Sequence, residues 1–218
     1  MKNYKYSEIT PEKVYNKRRK FIKSVSLGVG SLTLGSMSLI NNVYSIENNS
    51  ELTSYKDITT YNNYYEFGTG KGDPYKNSQE FKIKPWNVSI EGEVEDPITL
   101  SADDILSLYP SEERIYRLRC VEGWSMVIPW MGFSLSKLLN KVSIKTEAKF
   151  VEFESVYDPE QMKGQRYPVL NWPYREGLRI DEAMHPLTTV VTGLYGKALP
   201  NQNGAPLRIF VPWKYGFK

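Results

Sequence analysis

Residues 114–120 read Arg-Ile-Tyr-Arg-Leu-Arg-Cys and are followed by Val-Glu-Gly-Trp-Ser at 121–125. Polar and apolar side chains alternate along 114–120, which predicts a half-buried β-strand, and we expect the three arginines of this strand to share one face. The predicted strand ends at the only cysteine of the chain. Because binding and catalytic side chains are often presented from the loops that follow regular elements, Cys120 is a candidate functional residue.

Short periodic segments continue on both sides of this strand and predict an α+β (mixed α/β) fold. Further strands are predicted at 86–94, 98–100, 149–155, 188–192 and 207–211. Short helical segments are predicted after Ser101, at 135–139 and at 181–184. We predict a polar arm at 48–63, a turn-rich loop at 70–78 and a turn at 130–133.

The chain has 218 residues with one cysteine and one histidine. A single cysteine excludes an internal disulfide framework and any cysteine-rich zinc or iron–sulfur site. A single histidine excludes a metal centre built from several histidines. His185 lies between Met184 and Pro186, and we interpret it as a structural residue.

Positive charge is concentrated at the N-terminus. Residues 1–45 carry eight Lys or Arg and two acidic residues, whereas the remainder carries 20 basic and 23 acidic residues. The remainder therefore has no basic excess of the kind that nucleic-acid-binding proteins need, and we expect no nucleic-acid partner.

Residues 1–45 are typical of a twin-arginine export signal. Residues 17–23 read Lys-Arg-Arg-Lys-Phe-Ile-Lys, and a mildly apolar run with several glycines and serines follows at 24–40. The alternative is a single membrane anchor, but this run is shorter than the ~20 apolar residues that a bilayer span needs. The leader predicts export of a folded protein to the periplasm, with 46–218 as the functional domain.

The Cys120 side chain has three possible roles. A lone cysteine is most often a small buried core residue. Alternatively, the neighbouring Arg117 and Arg119 favour a thiolate, which is a good ligand for a soft metal. A nucleophilic hydrolase would need His185 as its base, and nothing in the sequence brings His185 near Cys120.

Two other segments carry candidate binding groups. Residues 61–68 read Tyr-Asn-Asn-Tyr-Tyr-Glu-Phe-Gly, and their amides and phenols suit a flat heteroaromatic ring that offers many donors and acceptors. The alternative is a packed aromatic cluster. Arg208, after the turn at 201–206, is able to bind a phosphate or to form a surface ion pair.

Taken together, these residues resemble one family, the molybdopterin-binding catalytic subunits of periplasmic protein-methionine-sulfoxide reductases, which have a sulfite oxidase-type fold. The resemblance extends from the leader to Lys218. It rests on Arg18-Arg19 and on the segments at 61–68, 113–122, 124–126, 181–188, 195–200, 202–206 and 211–218.

The resemblance implies roles for individual residues. Cys120 corresponds to the cysteine that ligates molybdenum, and Asn63 lies where a side chain faces the open position of the metal. The pterin-binding positions that it implies are Asn62, Tyr65, Glu66, Asn203 and Arg208. Ser155 supplies a hydroxyl where relatives carry Thr, so it is a further candidate cofactor contact.

The resemblance also implies a function. The chain is expected to hold molybdenum-molybdopterin and to remove oxygen from methionine sulfoxide in oxidised periplasmic proteins, with electrons from a haem-containing, quinol-linked membrane subunit. The alternatives are a molybdoenzyme of the same fold that acts on sulfite or small S- or N-oxides, and a non-catalytic fragment. Family chains continue beyond the position of Lys218, so the sequence is expected to lack a C-terminal part.

Overall fold

Residues 52–214 are the part of the chain that the computed structural model describes. The predicted export signal at 1–45 lies outside them. The α-helices are α1 (Tyr55–Thr60), α2 (Asp73–Asn77), α3 (Ala102–Leu108), α4 (Leu135–Leu139) and α5 (Ile180–Ala183). The strands are β1 (Asn87–Ile90), β2 (Ile98–Ser101), β3 (Glu112–Arg119), β4 (Ser125–Ser134), β5 (Phe150–Glu154), β6 (Arg175–Arg179), β7 (Thr189–Leu194), β8 (Lys197–Ala198) and β9 (Arg208–Phe210). Three short 3₁₀ helices are formed by Tyr65–Phe67, Lys163–Arg166 and Asn201–Asn203.

The strands form three antiparallel sheets. The largest has the order β3-β4-β7-β8, with β9 also paired to β7. The other two are the ladders β1–β2 and β5–β6. Mixed short helices and antiparallel strands confirm the predicted α+β class.

The hairpin that joins β3 to β4 places Cys120 at its tip. Arg119 pairs with Ser125 in the last position of the ladder. The amide of Cys120 donates to the carbonyl of Trp124 at 2.9 Å, and the amide of Gly123 donates to the carbonyl of Cys120 at 3.0 Å. Gly123 has φ +91°, a conformation that favours glycine, so the tight return of the chain depends on it.

Two predictions about this hairpin are wrong. Residues 130–133 do not form a turn but continue β4, and the ladder shifts register between Met131 and Gly132. Such a bulge is a common reason for glycine inside a strand. The arginines of β3 do not share one face either, because period-two alternation puts Arg114 opposite Arg117 and Arg119. Arg114 donates to the carbonyl of Pro186 at 2.9 Å.

The N-terminal part of the described chain contains helices that the polar composition concealed. The predicted arm at 48–63 contains α1, where the Ser54 hydroxyl accepts from the amide of Asp57. The predicted loop at 70–78 contains α2, which has Pro74 in its first turn. By contrast, the helix predicted after Ser101 is confirmed, with the Ser101 hydroxyl accepting from the amide of Asp104.

The large sheet separates two apolar clusters. Alternation along β7 sends Val190 into one cluster, with Phe133 and the leucines of α4, and Val191 into the other, with Trp130 and Phe210. Burying each such side chain stabilises the fold by about 1.5–3 kcal/mol. The second cluster also contains Ile58 of α1, and this contact brings the N-terminal helix close to the β3–β4 hairpin. No helix between residues 52 and 214 is both long enough and apolar enough to span a bilayer.

Candidate functional site

Cys120 is buried at the tip of the hairpin, with 1% of its surface exposed. The side-chain amide of Asn63 donates to its sulfur at 3.1 Å. Asn63 follows α1 and lies 57 residues before Cys120 in the chain, so tertiary packing brings the two together. A donor directed at sulfur stabilises a thiolate and orients it.

The environment of Cys120 opposes thiolate formation when no cation is bound. Burial raises the pKa of the Cys120 thiol, and hydrogen bonds from the Glu122 amide and from Asn63 offset this only in part. A bound metal ion supplies the missing positive charge and displaces the thiol proton. Within residues 52–214 no cluster of three or more His, Cys, Asp or Glu side chains is placed to hold a metal ion. A metal at Cys120 would therefore need ligands from a cofactor.

Glu122, two residues after Cys120 in the chain, is the centre of a network of polar and charged side chains. The Glu122 carboxylate accepts from the Tyr65 hydroxyl at 2.7 Å and from the Trp124 indole at 2.9 Å, and it forms an ion pair with Lys71. Burial alone would raise the pKa of Glu122, but the hydrogen bonds from Lys71, Trp124 and Tyr65 lower that pKa to about 2. Glu122 is therefore ionised at neutral pH, and it holds three donors beside the candidate metal ligand.

Two of the predicted pterin-binding amides share one backbone acceptor. The side-chain amides of Asn62 and Asn203 both donate to the carbonyl of Ile58, each at 3.0 Å. Because a carbonyl only accepts, each amide must turn its nitrogen toward Ile58 and its oxygen away. Both oxygens are buried without a hydrogen-bond partner.

Arg208 is held between two aromatic rings. Its guanidinium carbon lies 5.4 Å from the Tyr64 ring centroid and 5.1 Å from the Trp130 ring centroid, which are cation–π distances. One terminal nitrogen of the guanidinium donates to the carbonyl of Asn203 at 3.0 Å. The Nε of Arg208 is buried without a partner. Arg208 therefore does not form the surface ion pair that was its alternative role.

One pocket collects these unpaired groups. Among residues 52–214, five buried side-chain polar atoms have no hydrogen-bond partner. Four of the five belong to residues that line this pocket: Asn62, Trp130, Asn203 and Arg208. Asn63 and Trp124, which contact Cys120, also line it. Unpaired buried polar atoms cost about 1–3 kcal/mol each. The pocket has a volume of about 10 Å³, which is room for about one water molecule, so in this conformation it does not have room for a pterin ring.

Three predicted residues, Tyr65, Glu66 and Ser155, are not among the residues that line the pocket. Tyr65 and Glu66 belong to the first 3₁₀ helix, where Tyr65 reaches Glu122 and Glu66 is buried. Ser155 lies at the end of β5 and donates to the carbonyl of Tyr174 at 3.0 Å. The Tyr174 hydroxyl has a raised pKa, caused by burial and the Glu176 carboxylate and, to a smaller extent, by Glu66.

His185 takes no part in this site. Its ring is exposed, accepts a hydrogen bond from the amide of Leu187 at 3.2 Å and packs against Trp213. These contacts agree with a structural role. The hydrolase alternative for Cys120 loses its only candidate base.

Glu122, Lys71 and Trp130 were not predicted from the sequence as functional candidates. Glu122 and Lys71 are 51 residues apart, and no local pattern connects them. The one available signal for Glu122 was its place in the loop two residues after Cys120. Trp130 was obscured by the wrong prediction of a turn at 130–133.

Comparison with protein families supports a pterin site. Residues 75–218 match the family described as oxidoreductase molybdopterin binding domain. A protein-methionine-sulfoxide reductase catalytic subunit, MsrP, from Burkholderia mallei is 48% identical over 228 residues, which cover 97% of this chain and 69% of that protein. The subunit of the same name from Xanthomonas axonopodis pv. citri is 51% identical over 228 residues, which cover 99% of this chain and 71% of that protein.

A solved structure supports the fold. The chain is similar to the sulfane dehydrogenase SoxCD from Paracoccus pantotrophus, with a TM-score of 0.53 and 16% sequence identity. The alignment covers 86% of this chain and 50% of that chain, so this chain spans about half the length of that protein. At this identity the likeness concerns the architecture alone, and it agrees with the predicted sulfite oxidase-type fold.

Proposed function

This chain belongs to the oxidoreductase molybdopterin-binding domain family and, within it, to the protein-methionine-sulfoxide reductase catalytic subunits; from that premise we propose that it removes oxygen from methionine sulfoxide residues of oxidised periplasmic proteins. The observation that carries the proposal is the buried Cys120 thiol with the Asn63 side-chain amide directed at its sulfur at 3.1 Å. A donor directed at a buried sulfur suits a metal ligand, and the pterin assignment is supported by the family match over residues 75–218.

The residues that would hold the group are those gathered at the pocket. Cys120 is the metal ligand, and Asn63 orients its sulfur. Asn62, Asn203 and Arg208 would hold the pterin, since the amide oxygens of the two asparagines and the Nε of Arg208 have no other hydrogen-bond partner. When bound, the group supplies the two-electron chemistry that converts a sulfoxide, two electrons and two protons into a thioether and one water.

The side chains around Glu122 hold protons close to Cys120 in the chain. Lys71 and Tyr65 each hold a proton at a heavy atom that contacts the Glu122 carboxylate. The Lys71 and Glu122 side chains are 26% and 21% exposed, so water reaches this network. The network is therefore open to exchange of protons with solvent.

Electrons for this reduction would come from a partner. The relatives are named catalytic subunits, and a catalytic subunit implies another subunit. We assign that role to a haem-containing, quinol-linked membrane protein. A single histidine in the whole chain is too few for a bis-histidine haem of its own.

The predicted twin-arginine signal supports a periplasmic location. That export route carries proteins that have already folded, which suits a chain whose cofactor is inserted before export. Oxidised proteins of the same compartment are the substrates that such an enzyme would meet. The location and the substrates are part of the proposal.

The test is a comparison of substrates with the molybdenum-loaded chain. A reduced dye supplies electrons, and mass spectrometry measures the loss of one oxygen from a protein that contains methionine sulfoxide. Sulfite with an oxidised dye, and small S- and N-oxides, are assayed in parallel. Turnover of the oxidised protein supports the proposal. Turnover of sulfite alone, or of small oxides alone, contradicts the proposed substrate, and a folded chain without molybdenum contradicts the enzyme altogether.

A further inference from the structure

The pocket lined by Asn62, Trp130, Asn203 and Arg208 is both small and polar. Its volume is about 10 Å³, and a polar cavity of this size holds a single water molecule. Within the part of the chain that the structure describes, one buried side-chain atom of each of these four residues has no hydrogen-bond partner. Because such atoms are costly to leave unpaired, a small polar ligand in this pocket would stabilise the fold.

The four unpaired atoms are two donors and two acceptors. The donors are the Nε1 of Trp130 and the Nε of Arg208, and the acceptors are the Oδ1 atoms of Asn62 and Asn203. The asparagine oxygens keep this orientation because each side-chain nitrogen already donates to the carbonyl of Ile58 at 3.0 Å. A water molecule is able to donate two hydrogen bonds and to accept two, so a single water matches all four atoms.

Direct contacts join these residues into one group around the pocket. The side chains of Asn62 and Asn203 meet at the carbonyl of Ile58. Arg208 donates to the carbonyl of Asn203 at 3.0 Å, and its guanidinium carbon lies 5.1 Å from the ring centroid of Trp130. The Trp130 ring is fully buried, so it does not reach solvent for an acceptor.

Charge and size argue against other occupants of this pocket. A halide or phosphate ion offers acceptors only, and its negative charge would face the two amide oxygens. A metal cation would face the indole N–H and the positively charged guanidinium of Arg208. An organic ring is larger than a pocket of about 10 Å³. Water is neutral, small and able to donate and accept, and it meets every condition.

We propose that the cofactor-free chain binds one water molecule in this pocket, which accepts from Trp130 and Arg208 and donates to Asn62 and Asn203. Asn62 follows α1, Trp130 lies in β4, Asn203 lies in the third 3₁₀ helix and Arg208 begins β9. The water therefore ties the segment after α1 to the large sheet. A larger group reaches these side chains only after the water has left and the pocket has widened, so the water marks the closed form of the chain.

The test is nuclear magnetic resonance of the cofactor-free full chain with ¹⁵N-labelled tryptophan. The five tryptophans give five indole signals, and the Trp130 signal is assigned by elimination with single Phe replacements of the other four. Cross-relaxation between this N–H and water distinguishes a long-lived bound water from direct proton exchange. We expect a long-lived water at Trp130 and none at Trp172, whose indole donates to the carbonyl of Tyr167 at 2.9 Å.

Two outcomes of this measurement would overturn the inference. The first is the absence of a water signal at Trp130, which would mean a dry pocket. The second concerns Tyr64, which also lines the pocket and has a hydroxyl proton that exchanges with water. Loss of the signal in Tyr64→Phe would show that the hydroxyl was its source, whereas retention of the signal in Tyr64→Phe supports a bound water.

A count of long-lived waters by ¹⁷O relaxation gives a second measurement. The double replacement of Asn62 and Asn203 by Leu removes both acceptors with little change in side-chain volume, and we expect it to hold one long-lived water fewer than the wild type. The same replacements at the exposed Asn140 and Asn171 are the control and should leave the count unchanged. Equal counts in the two double variants contradict the inference. If the first double variant does not fold, the wild-type signal at Trp130 still decides. The inference concerns the chain without cofactor, so its failure leaves the proposed function standing.

Discussion

Asn63 and Cys120 illustrate how single side chains decide the chemistry of this site. Burial keeps the metal-free Cys120 protonated by raising its pKa, whereas the Asn63 donor at 3.1 Å favours the ionised sulfur. The two effects oppose each other until a cation binds. The residue is therefore inert as a free nucleophile and suited to be a metal ligand.

Replacing Cys120 with Ser tests this role directly. A hydroxyl is a poor ligand for a soft metal, and we expect Cys120→Ser to lose activity on methionine sulfoxide by more than about 100-fold. The replacement is close to isosteric, so the melting temperature of the cofactor-free protein should change little. Activity and circular dichroism are measured together.

Val121→Ser is the control for this variant. It places the same side chain one position later, where Val121 is 71% exposed, and it should retain full activity. Unchanged turnover in Cys120→Ser would contradict the ligand role.

At the scale of elements, the site depends on close packing of two 3₁₀ helices. A Cβ atom at Gly164, in Lys163–Arg166, would overlap the carbonyl oxygen of Tyr65 in Tyr65–Phe67. The two segments touch backbone to backbone because Gly164 has no side chain. This contact positions Tyr65 and Glu66 beside the pocket.

Gly164→Ala should therefore destabilise the protein by about 2–3 kcal/mol and lower the fraction of chains that retain pterin. The measurements are urea unfolding and pterin content. Gly72→Ala is the control, since a Cβ there meets nothing within 4 Å. We expect it to cost less than about 1 kcal/mol. Equal losses in the two variants would show that the contact with Tyr65 is unimportant.

The loop before the second 3₁₀ helix should give a measurable dependence of stability on pH. Hydrogen bonds from the side chain and backbone of Gln161 lower the pKa of Asp158 below its ordinary value of 3.8. A carboxyl with a lowered folded-state pKa stabilises the fold above the unfolded pKa, and this contribution disappears as the pH falls through the folded pKa. The relevant window therefore lies below about pH 4.

Asp158→Asn removes that titration. We expect it to be less stable than the wild type at pH 7, and the difference to shrink as the pH falls below about 4. Melting temperatures across this range measure the difference. A difference for Asp158→Asn that does not vary with pH would refute the role given to Gln161.

Much of the element order could be predicted from local sequence. Alternation identified β1, β3 and β5, and Ser101 identified the start of α3. The errors have physical causes. Gly132 was taken as a turn residue although it accommodates the close approach of Val190 in a bulge. The polar composition around α1 concealed a helix whose stability comes from burying Ile58, which local propensity does not reveal.

The candidate site shows the same limit. Asn62, Asn203 and Arg208 were predicted through a resemblance, and the structure brings them to one pocket. Glu122 and Lys71 were not predicted, because their ion pair joins segments that are 51 residues apart. Local sequence patterns indicate which side chains are able to bind or react. They do not indicate the distant partners that set the pKa values of those side chains.

At the scale of the whole molecule, the pocket is made by segments that are distant in the chain. Residues 58–64, 118–130 and 203–208 all contribute to its lining. The pocket therefore exists only after the large sheet and α1 have come together. Cofactor binding would stabilise the assembled form by mass action, which agrees with the proposal that the chain is folded and loaded before export.

The export proposal has a direct test at this scale. The double replacement Arg18→Lys and Arg19→Lys keeps the charge but removes the arginine pair, and we expect loaded protein to remain in the cytoplasm. The reverse exchange at Lys2→Arg and Lys5→Arg is the control and should be exported normally. Cell fractionation and molybdenum content measure both, and periplasmic accumulation of the double replacement would contradict the twin-arginine route.

Because Asn62 and Asn203 share the carbonyl of Ile58 as their acceptor, cleavage of the chain near Ile58 would affect both side chains. The side-chain amides of Asn62 and Asn203 both donate to this one oxygen atom, although the two residues lie in distant segments of the chain. The oxygen belongs to α1, a helix of six residues. A protease that nicked the chain inside this helix would leave most of the large sheet intact and free both amides to rotate. The nicked protein would keep most of its circular dichroism signal, although the loss of the shared acceptor would leave both amides without a fixed orientation.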